Sequence, residues 1–114
     1  HLPQAIAGLD LRLVMVNAAM GRLLGRQVED LIGVHVDTLR HPDAPASHAR
    51  ELLKDETGDM LEYERVYQRP DGTPVPVRLF ATLVRDPHMP RMLFAGQLDM
   101  RNRAGALLQF DPTV

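Results

Sequence analysis

Glu62 and Glu64 stand two residues apart in "LEYER", a spacing that places both carboxylates on one face of an extended strand. Carboxylates so close together can raise the pKa of one of them and equip it for proton transfer. No Ser, His and Asp arrangement and no glycine-rich phosphate loop accompanies the pair. Alternating Glu and Arg along the run is more simply a solvated strand with ion pairs across to Arg78 or Arg85. Catalysis by this chain is therefore not expected. His35, His41 and His88 lie in or near turn signals, and no histidine pair has the i, i+4 spacing of a metal site, so no metal centre is expected. The chain has no cysteine, which removes disulfides, thiolate zinc sites, thiol nucleophiles and any chromophore held through sulfur.

Composition narrows the partners. The 114 residues, 45% hydrophobic and 25% charged, suit one core and one domain. A formal charge of -2 leaves no basic stripe for nucleic acid or an anionic membrane. No apolar run approaches the roughly 20 residues of a membrane span, so a cytoplasmic domain without membrane contact is expected. The sequence starts without methionine and stops in mid-phrase at Val114, which reads as a domain cut from a larger protein.

These residues must be positioned by a small set of elements. "QAIAGLD" and "LRLVMVN" read as a β-hairpin punctuated by Gly8, Asp10 and Asn17. From Ala18 the period becomes helical. Met20, Leu23 and Leu24 share a face ended by Gly25, and Val28, Leu31 and Ile32 share a second ended by Gly33. Helices of two turns are not stable alone, so both must pack on something. One helical turn is expected at Val36–Leu39 and a helix at Ala46–Lys54, with Leu52 and Leu53 toward the core. Beyond Gly58 the pattern is strand-like. "MLEYERVYQR" meets "TPVPVRLFATLVRD" across Pro70-Asp71-Gly72, and "RMLFAGQLDM" supplies a last strand. Val75, Val77, Leu79, Ala81 and Leu83 share one face of the long central strand, with Arg78, Phe80, Thr82 and Val84 on the other. The order is that of an α+β domain: a five-stranded antiparallel sheet with short helices on one face.

Five motifs in register carry a family resemblance: "VNAAMGRLLG", "VEDLIG", "HPDA", "QRPDGTPVPV" and "DMRNR". In this order and spacing they resemble the PAS domain family of sensory modules, over about residues 4 to 103. The chain departs from the family pattern at Ala44, where a second Asp is usual, and at Met100, Arg101 and Asn102 in the closing motif. The resemblance implies a sensor domain over 1–103 and a linker over 104–114 toward an output domain. It also implies a pocket between helices and sheet. Its expected walls are Val14 and Val16 on the second strand, Met20, Leu24, Ile32, Leu39 and Leu52 on the helical segments, and Val77, Leu79, Ala81 and Leu83 on the central strand. Gln97 joins them because it resembles the glutamine that faces flavin in the light-sensing subfamily.

So aliphatic a list describes a filled core as well as a cavity for a small apolar ligand. No cofactor is required by the sequence. Covalent flavin photochemistry is excluded by the missing cysteine, and non-covalent flavin has no tryptophan to stack on. His48, near where haem-binding relatives carry their proximal histidine, is the candidate haem ligand, although "PASHAREL" also suits a solvent-facing residue. Phe80 and Val84, joined by Phe94, leave an apolar patch on the outer face of the sheet, and a homodimer is the expected way to cover it. Asp99 and Arg103 would relay the signal to the output domain. Phe110, Asp111, Pro112 and Thr113 resemble the opening of diguanylate cyclase domains. The expected function is a non-catalytic sensor and dimerisation module, with a haem gas sensor and a purely structural dimerisation domain as the alternatives.

Overall fold

The computed structural model describes residues 2–44, 60–84, 87–88 and 92–100. Five strands form one antiparallel sheet: β1 (Gln4–Gly8), β2 (Leu13–Val16), β3 (Leu61–Gln68), β4 (Pro74–Val84) and β5 (Met92–Asp99), in spatial order β2-β1-β5-β4-β3. Between β2 and β3 run α1 (Ala18–Leu24), α2 (Val28–Leu31) and a 3-10 turn at Val36–Leu39. The expected architecture is thus present. The helix expected at Ala46–Lys54, with Leu52, and the segment from Arg101 onward lie outside the described residues.

The chain turns from strand to helix at Asn17. Its Oδ1 accepts from the Met20 N–H at 2.9 Å and from the Gln4 N–H at 3.0 Å, and its Nδ2 donates to the Leu2 carbonyl at 2.9 Å. One side chain therefore caps α1 and pins the start of β1 beside it. Helix α1 stops where Gly25 takes φ 65°, a left-handed conformation that side-chain-bearing residues resist.

The core lies between the inner face of the sheet and the helical segments. Met20, Leu24, Leu31, Val75 and Val77 are at most 1% exposed, and Leu39, Leu79, Ala81 and Leu83 join them. Strand β4 alternates buried and half-buried residues from Val75 to Val84, as its sequence period requires. Two expected core positions are corrected. Val14 is 49% exposed because Leu13, not Val14, faces inward where β2 pairs with β1 around an irregularity at Ile6/Ala7. A one-residue difference in facing sends a strand side chain to the opposite side. Ile32 is 46% exposed because α2 ends at Leu31 and Ile32 is already extended, with ψ 129°.

The β3–β4 turn centres on Asp71, whose carboxylate accepts from the Thr73 hydroxyl and from the Thr73 N–H at 2.9 Å. The hydroxyl contact, first among the causes, holds the Asp71 carboxyl below its ordinary 3.8. A carboxyl depressed by folding contributes stability at neutral pH that is lost as pH falls through the depressed value. The expected result is a carboxyl resonance of Asp71 titrating below 3.8, moving back toward it in Thr73→Val. An unchanged midpoint in that variant would show that the hydroxyl contact has no such role.

Candidate functional site

A cavity of about 50 Å³ lies between the inner face of the sheet, Leu11 and the start of the 3-10 turn. Strands β1, β5 and β4 supply its floor. Ala5 pairs with Ala95, and Ala95 with Ala81, so three alanines stand in one row across three strands. With strands about 4.8 Å apart, this row is a trough roughly 10 Å long. It exists because each position carries only a methyl group, where neighbouring inward positions such as Val77, Leu79, Leu83 and Leu93 carry larger side chains. Leu79 and Gln97, paired with each other, form the next row. Leu11 and Val36 line it from outside the sheet, and Arg65 and Tyr67 from β3. Leu11 holds φ 64°, a strained value for a non-glycine residue, while its side chain is 3% exposed against this space.

Among the described residues, a guanidinium and a carboxamide line the otherwise largely apolar space. Arg65 is 6% exposed, with Nη2 donating to the Val36 carbonyl at 2.8 Å and to Asp37 Oδ1 at 3.3 Å. Its guanidinium carbon also lies 5.4 Å from the centre of the Tyr67 ring, a cation–π distance. Gln97 is fully buried, and among the described residues neither its Oε1 nor its Nε2 has a hydrogen-bond partner. Leaving a buried amide unpaired costs on the order of 1–3 kcal/mol, which most folded proteins avoid.

Of the expected pocket walls, Leu79, Ala81 and Gln97 line the cavity. Met20, Leu24, Leu39, Val77 and Leu83 instead fill the core around it, and Val16 packs at the core margin. Val14 and Ile32 face solvent, as described above, and Leu52 lies outside the described residues. The other lining residues, among them the small Ala5, Ala7 and Ala95 and the charged Arg65, are not among the expected walls. The signal for Arg65 was present: a period of two along β3 sets it on the same face as Tyr67. Its charge suggested solvent instead.

Glu62 and Glu64 face away from the cavity and pair with Arg78, at 2.5 and 3.4 Å, on the exposed side of the sheet. This is the cross-strand arrangement expected of a solvated strand. Asp99 ends β5 opposite Val77. Phe80, Val84 and Phe94 are half-buried on the outer face, where Phe94 stands across from Thr82. His48 and Arg103 lie outside the described residues. Among the described residues, no group of three His, Cys, Asp or Glu side chains could hold a metal ion, and no helix is long and apolar enough to cross a membrane.

A five-stranded antiparallel sheet, short helices crossing one face, and a small cavity between them define an α+β domain. The family model for the PAS domain matches residues 3–98, and the chain belongs to that family. No curated protein matches the chain in sequence. Solved structures share the fold. A light-oxygen-voltage domain studied with a flavin analogue has a TM-score of 0.75 at 19% identity, covering 96% of this chain and 85% of its own. The PAS domain of an HTR-like protein from Haloarcula marismortui has 0.74 at 15%, covering 86% and 80%. The light-oxygen-voltage domain of a blue-light activated histidine kinase from Erythrobacter litoralis has 0.72 at 21%, covering 87% and 95%.

The light-oxygen-voltage relatives make flavin the group to test for fit. A cavity of about 50 Å³ has room for about four water-sized groups, much less than a three-ring flavin.

Proposed function

We propose that this domain is a small-molecule sensor of a signalling protein, non-catalytic itself, and that the cavity on the alanine row is its sensing site. The observation that carries the reading is Gln97. A fully buried amide without a partner, set beside an open space, is destabilising unless something else completes its hydrogen bonds. Ligand binding would favour one packing of β5 over another, and the effect would leave along β5 through Asp99 toward Arg103. A histidine kinase among the structural relatives is consistent with a signalling role.

The outer face of the sheet is proposed to seat a second copy of the domain. Phe80, Val84 and Phe94 are joined there by Ile6 and by Met15, which is 60% exposed. The output domain is proposed to be a diguanylate cyclase, on the partial match at Phe110, Asp111, Pro112 and Thr113. The cytoplasm is the proposed compartment.

Ala81→Leu tests the sensing site. The added three carbons fill most of a space that holds about four water-sized groups. Native mass spectrometry of the purified chain is expected to find a small molecule bound, and its occupancy is expected to fall about tenfold or more in the variant. Occupancy unchanged by Ala81→Leu, or a chain that carries nothing and responds to nothing, would remove the proposal.

A further inference from the structure

On the reading of the cavity as a sensing site, we propose that its ligand is a small neutral molecule with an amide-type edge, such as a carboxamide or a lactam. The edge forms a pair of hydrogen bonds with the side chain of Gln97. Four observations converge on this chemistry.

The Gln97 carboxamide offers one acceptor, Oε1, and one donor, Nε2, and both are buried without a partner. A group that satisfies both at once must present a donor and an acceptor side by side, which is the pattern of another amide. The charge in the cavity wall is already matched. Among the described residues Arg65 is the only charged lining residue, and its Nη2 is held by the Val36 carbonyl and Asp37 Oδ1. A carboxylate ligand would bring a charge into an apolar space and remain in excess there. The volume sets the size. About 50 Å³ admits a molecule of about half a dozen non-hydrogen atoms, since bonded atoms lie closer together than waters. The floor sets the shape: Ala5, Ala95 and Ala81 in one row leave a shallow trough in which a flat group can lie, with Gln97 two residues along β5 from Ala95.

The test is titration of the 114-residue chain with three probes of nearly equal size, followed through its isotope-labelled amide spectrum. The probes are γ-butyrolactam, which carries donor and acceptor, cyclopentanone, which carries only an acceptor, and butyrate, which is charged. The lactam is expected to shift the Gln97 side-chain resonances and to bind about tenfold or more tighter than either other probe. In Gln97→Leu, and independently in Gln97→Met, the lactam is expected to fall to the level of cyclopentanone while the spectrum stays dispersed.

Equal binding of all three probes, a preference for butyrate, or a lactam preference that survives both variants would overturn the amide class and leave the sensing site standing. A flavin held in the purified chain would overturn the small size of the ligand and leave the sensing site standing. If no probe binds and the purified chain carries no small molecule, the sensing site falls as well.

Discussion

Leu24→Ala is expected to destabilise the domain by about 2–5 kcal/mol and to lower Tm by roughly 10–20 °C. Leu24 is the last residue of α1 and is wholly buried in the cluster that joins the helices to the sheet. A helix of seven residues has little stability of its own, so its packed face is what holds it in place. The void left by three lost carbons cannot be closed by a shift of the helix end. Gly25 fixes the exit of the chain, and Arg69 Nε donates to the Leu23 carbonyl at 3.1 Å, tying that end to the β3–β4 turn. Ile32→Ala is the matched control. Ile32 is 46% exposed, so its truncation is expected to stay within about 0.5 kcal/mol. Urea unfolding of the three proteins measures both. A loss below about 1 kcal/mol for Leu24→Ala, or equal losses in the two variants, would contradict the packing described.

Gln97→Leu is expected to act in the opposite direction and to stabilise the ligand-free domain by about 1–3 kcal/mol. The two side chains are of similar size, and the site is apolar on almost every side, with Leu79, Ala81 and Ala95 as neighbours across and along the sheet. Replacing the amide therefore removes two unpaired polar atoms without opening a void. The gain should appear as a higher urea midpoint with an unchanged slope, because neither the fold nor the buried surface changes. Destabilisation by Gln97→Leu would mean that the amide is already satisfied and would remove the main support for a sensing role. Stability gained by deleting a polar group while ligand binding is lost is the usual mark of a residue kept for function.

Much of the fold was legible because its signals are local. Asn17 and Gly25 mark the ends of α1, Pro70-Asp71-Gly72 marks the β3–β4 turn, and the alternation of β4 marks its inner face. The two misplaced core residues, Val14 and Ile32, each sit where one residue of register or helix length decides the side. For Val14 that decision is made by pairing with β1, and for Ile32 by where α2 gives way to extended chain. Neither is a property of the residue itself.

The candidate site divides in the same way. Leu79, Ala81 and Gln97 could be placed near a pocket because their strand and facing were readable. Ala5, Ala7 and Ala95 could not, since alanine on a strand says nothing about emptiness until its neighbours across the sheet are known. Arg65 was assigned to solvent by its charge, yet it lies inside because Asp37 and the Val36 carbonyl, far away in sequence, meet it there.

The sequence by itself determined the order of elements, the α+β class and the turns, because caps, left-handed glycines and hydrophobic periods act over a few residues. Only the tertiary structure decided which aliphatic side chains fill the core, which three alanines align into a trough, and that Gln97 lies buried without a partner. Those outcomes depend on strand register between β1, β5 and β4, and a cavity or an orphaned amide exists only once distant segments have closed around it.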